Sequence, residues 1–259
     1  MPKFAANLSM LFNEIPFMDR FDAAAAAGFK GVEFMFPYTF DAEKIAEKLS
    51  ANKLAMVLHN LPAGNWDAGD RGLACDPTRI GEFQDSVGTA IAVAKTLGAK
   101  QLNCMAGKTP LGIDADTVRA TFVTNLKFAA SQLKNEGIRL VTEPINYRDM
   151  PGYYLNFSRQ ALDIIRETGS DNLFLQYDIY HMQRMEGELA GTLQANLPMI
   201  KHLQLADNPG RLEPGTGEIN YRHLFRLIDD VGYDGWIGCE YKPKTTTLEG
   251  LGWIKSHGF

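Results

Sequence analysis

Four short apolar runs in the second half of the chain end on side chains that offer oxygen: Arg139-Leu-Val-Thr-Glu143, Phe174-Leu-Gln-Tyr-Asp178, Lys201-His-Leu-Gln204 and Trp236-Ile-Gly-Cys-Glu240. Successive members lie about one strand–helix unit apart, so one fold can bring all four to a common mouth. Three carboxylates in an apolar-walled cavity repel one another strongly at low dielectric, and a divalent cation relieves that repulsion. An all-oxygen donor set favours Mg2+, with Mn2+ next, over a thiolate-loving ion, although carboxylate sites also accept zinc and cobalt. The bland reading of any one acid is a helix cap or a surface ion pair. Four successive strand ends filled this way argue for a metal site at Glu143, Asp178, Gln204 and Glu240.

The elements that must position these residues follow from periodicity. Short apolar runs at 4–10, 31–35, 54–59, 101–105, 139–143, 173–178, 202–205 and 236–240 read as strands. Between them lie helical stretches at 16–27, 41–51, 79–97, 114–135, 158–168, 186–195, 221–230 and 247–256, several closed by glycine, as at Leu97-Gly98 and Thr168-Gly169. Eight strand–helix units with no linker between them predict an α/β fold, a single (β/α)8 TIM barrel over 1–259, whose active site lies at the C-terminal ends of the strands. A doubly wound sheet is the rival. It lacks the phosphate-binding G-x-G-x-x-G after the first strand, where the chain reads Asn7-Leu-Ser-Met10, so no nucleotide cofactor is expected.

Composition narrows the partners. With 26 Lys and Arg against 31 Asp and Glu, the net charge of −5 speaks against a nucleic-acid surface. Three cysteines, Cys75, Cys104 and Cys239, form no CxxC pair, so neither a disulfide framework nor a structural zinc is expected and a cytoplasmic location fits. No leader peptide or membrane-length apolar run stands out, which predicts no membrane association. Barrels of this kind associate through their outer helices, so a homo-oligomer is an open expectation.

Several segments resemble the hydroxypyruvate isomerase family, which includes the 2-oxo-tetronate isomerases, within the xylose-isomerase-like barrel superfamily. They are Phe4-Ala-Ala-Asn-Leu-Ser-Met10, Glu143, Asp178 with His181 three residues on, His202-Leu-Gln204, Glu218-Ile-Asn-Tyr221 and Gly235-Trp-Ile-Gly-Cys-Glu-Tyr-Lys-Pro243. The resemblance covers nearly the whole chain. Ketose 3-epimerases of the same superfamily carry His-x-His on the seventh strand, and His202-Leu203-Gln204 departs from that pattern. The resemblance implies a metal held by Glu143, Asp178, Gln204 and Glu240, with Glu143 and Glu240 also exchanging protons. The substrate it implies is a small hydroxy-oxo acid: hydroxypyruvate and 2-hydroxy-3-oxopropanoate, or 2-oxo-tetronate and 3-oxo-tetronate, interconverted through a cis-enediolate that a cation would stabilise.

It also implies a contact from His181 to a substrate oxygen, and a cation for the substrate carboxylate, for which Arg211, Lys242, Lys108 and Arg71 are the candidates. His59 ends the third strand and is a candidate to line the mouth. By strand alternation His202 faces inward as a packed, hydrogen-bonded core residue. Glu33 reads as a buried supporting acid or a salt-bridged one, with Asn7 and Ser9 weaker candidates. Asn65-Trp66-Asp67 reads as a loop over the pocket, or as an anchor for a subunit contact. Two other classes remain in view: a ketose 3-epimerase, and a zinc phosphodiesterase, which would need a histidine-rich metal cluster and a basic rim. A catalytically inert sugar-acid-binding barrel is a third, which the glutamates at strands five and eight disfavour.

Overall fold

The computed structural model describes residues 2–258. Eight parallel strands close into a barrel in sequence order: β1 (Lys3–Asn7), β2 (Gly31–Glu33), β3 (Ala55–Asn60), β4 (Gln101–Cys104), β5 (Arg139–Thr142), β6 (Leu173–Asp178), β7 (Ile200–Leu205) and β8 (Trp236–Cys239). The last pairs with the first, Phe4 opposite Ile237 and Ala5 opposite Gly238, leaving no free sheet edge. Around the barrel run α1 (Arg20–Ala26), α2 (Ala42–Asn52), α3 (Ile80–Leu97), α4 (Ala115–Asn135) and α5 (Ser158–Thr168), then α6 (Ile179–Met185), α7 (Leu189–Asn196), α8 (Tyr221–Asp230), α9 (Thr247–Gly250) and α10 (Gly252–Ser256). Among the described residues no helix is long and apolar enough to cross a membrane.

Helix boundaries follow local chemistry. Asp114 caps α4 by accepting the Thr117 N–H at 2.8 Å. The buried positions of α4, Val118, Thr121, Phe122, Asn125, Leu126, Ala129, Ala130 and Leu133, recur at helical spacing and lie on the sheet. Gly98 closes α3 at φ 70°, a conformation costly for a residue with a Cβ.

The fold departs from the sequence reading at specific points. Strand β1 stops at Asn7 rather than at residue 10, because Asn7 Oδ1 accepts the Ser9 N–H and the Asn7 carbonyl takes those of Met10 and Leu11, turning the chain. Strands β5 and β8 end one residue before Glu143 and Glu240, which sit just beyond the ladder. Helix α6 was not expected at all. It starts directly from β6, capped by Asp178, whose Oδ1 accepts the N–H groups of Tyr180 and His181 at 2.8 and 3.3 Å. The last predicted helix breaks at Leu251 into α9 and α10.

Most buried apolar side chains form the layer between strands and helices. A separate cluster, Ala5, Val57, Leu58 and Val141 with Phe174 and Trp236 against it, fills the barrel interior. Gly31 belongs to the same layer: a Cβ there would come within 2.7 Å of Val57 and 2.9 Å of Trp236.

Candidate active site

Above that cluster, at the C-terminal ends of the strands, lies a cavity of about 140 Å³. This is below the roughly 300–1,000 Å³ of pockets that take drug-sized ligands, and suits a molecule of a few carbons. Its apolar wall includes Phe34, Leu58, Trp66 and Met105. Its polar lining includes Glu143, His181, Gln204, Arg211 and Glu240.

Glu143, Asp178 and His181 are all buried and each offers an atom within 4.8 Å of the other two, so this group could hold a metal ion. Glu143 Oε1 and Asp178 Oδ2 are buried oxygens with no hydrogen-bond partner among the described residues. His181 Nε2 lies 3.9 Å from the first and 3.7 Å from the second. The other carboxylate oxygens are occupied: Glu143 Oε2 accepts from Asn103 at 3.3 Å, and Asp178 Oδ1 caps α6. Buried oxygens left without a donor are costly and rare, and a cation is the partner they fit.

The other two sequence candidates line the same cavity but are engaged within the protein. Gln204 donates from Nε2 to Glu33 Oε1 and accepts at Oε1 from Gln176, both at 2.7 Å. Glu240 Oε1 accepts from Arg211 at 3.0 Å. Beneath them Glu33, fully buried, also receives Asn7 Nδ2 at 2.9 Å and lies 2.6 Å from His202 Nε2. Gly238 makes room for this carboxylate, since a Cβ there would stand 2.2 Å from Glu33 Oε1.

Crowding of acids shapes the electrostatics. Burial, with the charges of Glu240 and Asp178 adding to it, holds the Glu143 carboxyl well above the usual range. Burial pushes Asp178 up to about 6, against the pull of Arg211 and the N–H groups of Tyr180 and His181. The same desolvation lifts Glu240 to about 8, with Arg211 opposing. His181 is driven well below the ordinary histidine value by burial and by Arg211 and Arg184, so its ring is neutral.

Of the four cations proposed from sequence, Arg211 alone lines the cavity. It adopts the left-handed conformation, φ 55°, in the loop after β7, with its carbonyl accepting the Lys242 N–H at 2.8 Å. Asp207 organises that loop by accepting the N–H groups of Asn208, Gly215, Gly217 and Ile219 at 2.8–3.1 Å. Lys242 and Lys108 are exposed and are not among the lining residues. Arg71 stacks 3.9 Å over the Trp66 ring and donates to the Trp66 carbonyl, so it supports the cavity wall from behind. His59 is buried beside Tyr38 and is not among the lining residues, whereas Leu58 and Asn60 on either side of it, beyond a register shift between β2 and β3, are. His202 is the core histidine its strand position predicts. Sequence reasoning missed Gln176, Asn103, Asn146 and Asp207. Gln176 had a signal, two residues before Asp178 on the same face of β6; the Asn residues had none.

A model of the xylose isomerase-like TIM barrel matches residues 21–257. The hydroxypyruvate isomerase of Escherichia coli strain K12 is 56% identical over 254 residues, 98% of each chain. The chain belongs to this family. A 2-oxo-tetronate isomerase of Cupriavidus necator is 47% identical over 99% of each chain. A Brucella melitensis structure described as an AP endonuclease, family 2, superposes with a TM-score of 0.97 at 44% identity over 99% of both chains. Curated relatives of the family at this level of identity are isomerases by name, and they match the chain from end to end.

Proposed function

We propose that the protein is a metal-assisted aldose–ketose type isomerase of a small hydroxy-oxo acid. It interconverts hydroxypyruvate with 2-hydroxy-3-oxopropanoate, or 2-oxo-tetronate with 3-oxo-tetronate, by proton transfer through a cis-enediolate. The observation that carries this reading is the pair of buried glutamates, Glu143 and Glu240, on one small cavity with both carboxyls held above the ordinary range by burial. A carboxyl of that basicity removes a proton from carbon beside a carbonyl more readily than an ordinary one and returns it as readily. One glutamate acts as base and the other protonates the neighbouring carbon.

Arg211, hydrogen-bonded to Glu240, is the cation placed to receive the substrate carboxylate. His181 offers its ring to a substrate oxygen. Glu143, Asp178, Gln204 and Glu240 would hold the ion, Mg2+ or Mn2+, which supplies Lewis-acid polarisation of the substrate oxygens. The apolar wall around Phe34 and Trp66 keeps water from the reacting carbons.

The description attached to the Brucella structure raises phosphodiester cleavage as a second reading. A single histidine, His181, and a single cation, Arg211, line the cavity, and the chain carries a net charge of −5; both disfavour a zinc cluster on DNA. Side-by-side kinetics on hydroxypyruvate and 2-oxo-tetronate test the proposal. Turnover of one acid with kcat/KM above about 10⁴ M⁻¹s⁻¹ supports it; no turnover of either, with Mg2+ or Mn2+ present, refutes it.

A further inference from the structure

His181 is held from behind by Asn146, in the loop that follows Glu143. Asn146 Oδ1 accepts the backbone N–H of Asp149 at 2.9 Å. A backbone N–H can only donate, so the atom facing it is the amide oxygen and the side chain cannot be turned over. Asn146 Nδ2 therefore points the other way, donating to Asp149 Oδ2 at 3.1 Å. Asp149 is tied down in turn by the Tyr180 hydroxyl at 2.7 Å and by Arg184 at 2.8 Å. The same Nδ2 lies 2.6 Å from His181 Nδ1. An amide NH2 donates and does not accept, so Nδ1 must present a lone pair. A neutral imidazole with its lone pair on Nδ1 carries its proton on Nε2.

We infer that Asn146 is a positioning residue that locks His181 as the Nε2–H tautomer, making the ring a hydrogen-bond donor into the cavity and not a metal ligand. A ring nitrogen that bears a proton has no lone pair to give a cation. Its two nearest carboxylate oxygens, at 3.7 and 3.9 Å, lie beyond hydrogen-bond distance. The proton is left for a third oxygen. On the functional reading above, on which this step rests, that oxygen belongs to the oxo acid, where negative charge grows as the carbon-bound proton leaves. The assignment divides the buried Glu-Asp-His group: its two carboxylates face the ion and its imidazole faces the substrate. Arg184 and Tyr180, one turn along α6 from each other, then act on the chemistry through Asp149 and Asn146 without reaching the cavity.

The test is the nitrogen shift pattern of 15N-histidine-labelled protein, with His181 assigned by the signals lost in His181→Gln. The expected pattern is a proton-bearing Nε2 and a bare Nδ1, unchanged by Mg2+. A proton on Nδ1, or a Nε2 shift that moves on adding Mg2+ as a ligand nitrogen would, overturns the inference. Asn146→Asp places an acceptor opposite Nδ1 and should move the proton there, lowering kcat roughly 100-fold with a much smaller change in KM. Asn146→Leu removes the partner and should give shifts averaged between tautomers. If both variants keep the wild-type pattern, Asn146 does not set it. The shifts are read without turnover, so a protein that shows the expected tautomer yet isomerises neither acid refutes the functional reading and upholds this one.

Discussion

Arg211 donates to Glu240 Oε1 at 3.0 Å while its guanidinium lies 5.3 Å over the Tyr180 ring, so one cation is shared between a buried cavity-lining acid and the helix that carries His181. Arg211→Met should raise KM for either oxo acid at least tenfold. It should also raise the Glu240 pKa further, since Arg211 opposes the rise, and so move the ascending limb of kcat/KM to higher pH. A variant with wild-type KM and an unmoved pH profile would show that the guanidinium serves neither role.

Carbon-bound proton exchange isolates the two glutamates. Glu143→Gln and Glu240→Gln should each slow exchange of the substrate's carbon-bound proton with deuterated solvent by about 10²–10⁴-fold, the usual contribution of general acid–base catalysis. Near-wild-type exchange in both would exclude the pair from proton transfer. Glutamine keeps the shape, so stability should change little beside the loss of exchange.

Removing divalent ions should abolish isomerisation, and Mg2+ or Mn2+ should restore it. The same ions should raise the melting temperature, because a ligand present at 100 times its dissociation constant stabilises the folded state by about 2.7 kcal/mol. Full activity in exhaustively chelated protein would refute the metal's part in the reaction.

Without metal the crowded acids carry a distinct pH signature. The folded-state pKa of Glu240, about 8, lies above the ordinary carboxyl value near 4.5, so the folded protein binds more protons than the unfolded chain between those limits. Its contribution to stability is present in full below the unfolded value and is lost as pH rises through 8. Urea unfolding of metal-free protein should therefore show a loss of stability from pH 5 to pH 8 that is smaller in Glu240→Gln. Equal slopes in the two proteins would contradict the raised value.

Gly238→Ala would put a methyl group 2.2 Å from Glu33 Oε1, inside the carboxylate that receives Gln204, Asn7 and His202. Overpacking of this kind costs about 1–3 kcal/mol. The urea midpoint should fall accordingly, and activity should fall with it, because Gln204 loses the partner that orients its amide. A variant as stable and active as wild type would mean that Glu33 relaxes freely.

Much of this site is legible in the chain because barrel geometry turns strand ends into neighbours. Glu143, Asp178, Gln204 and Glu240 were readable from four short apolar runs, and all four of those runs ended within a residue of the observed strand. What periodicity does not carry is the partner of each donor. Gln204 meets Glu33 from a strand on the far side of the sequence, 171 positions away, and Asn146 meets His181 across a loop. Helix α6 was hidden because Asp178 serves two purposes at once. Read as a site acid it marks the end of a strand, and only the structure shows that its other oxygen starts a helix. Lys242, two residues after Glu240, and His59, at a predicted strand end, were both candidates for the site. Neither lines the cavity, since Lys242 is exposed to solvent and His59 is buried beside Tyr38.

Leu58 belongs at once to the apolar cluster inside the barrel and to the lining of the cavity above it. It is part of the floor of the cavity, and Val57, Val141, Phe174 and Trp236 pack in the same apolar cluster. Under the proposed reaction, whose two acids are isomers of one size, an apolar floor beneath the cavity directs substrate and product to share the mouth, and traffic at that doorway becomes part of the rate.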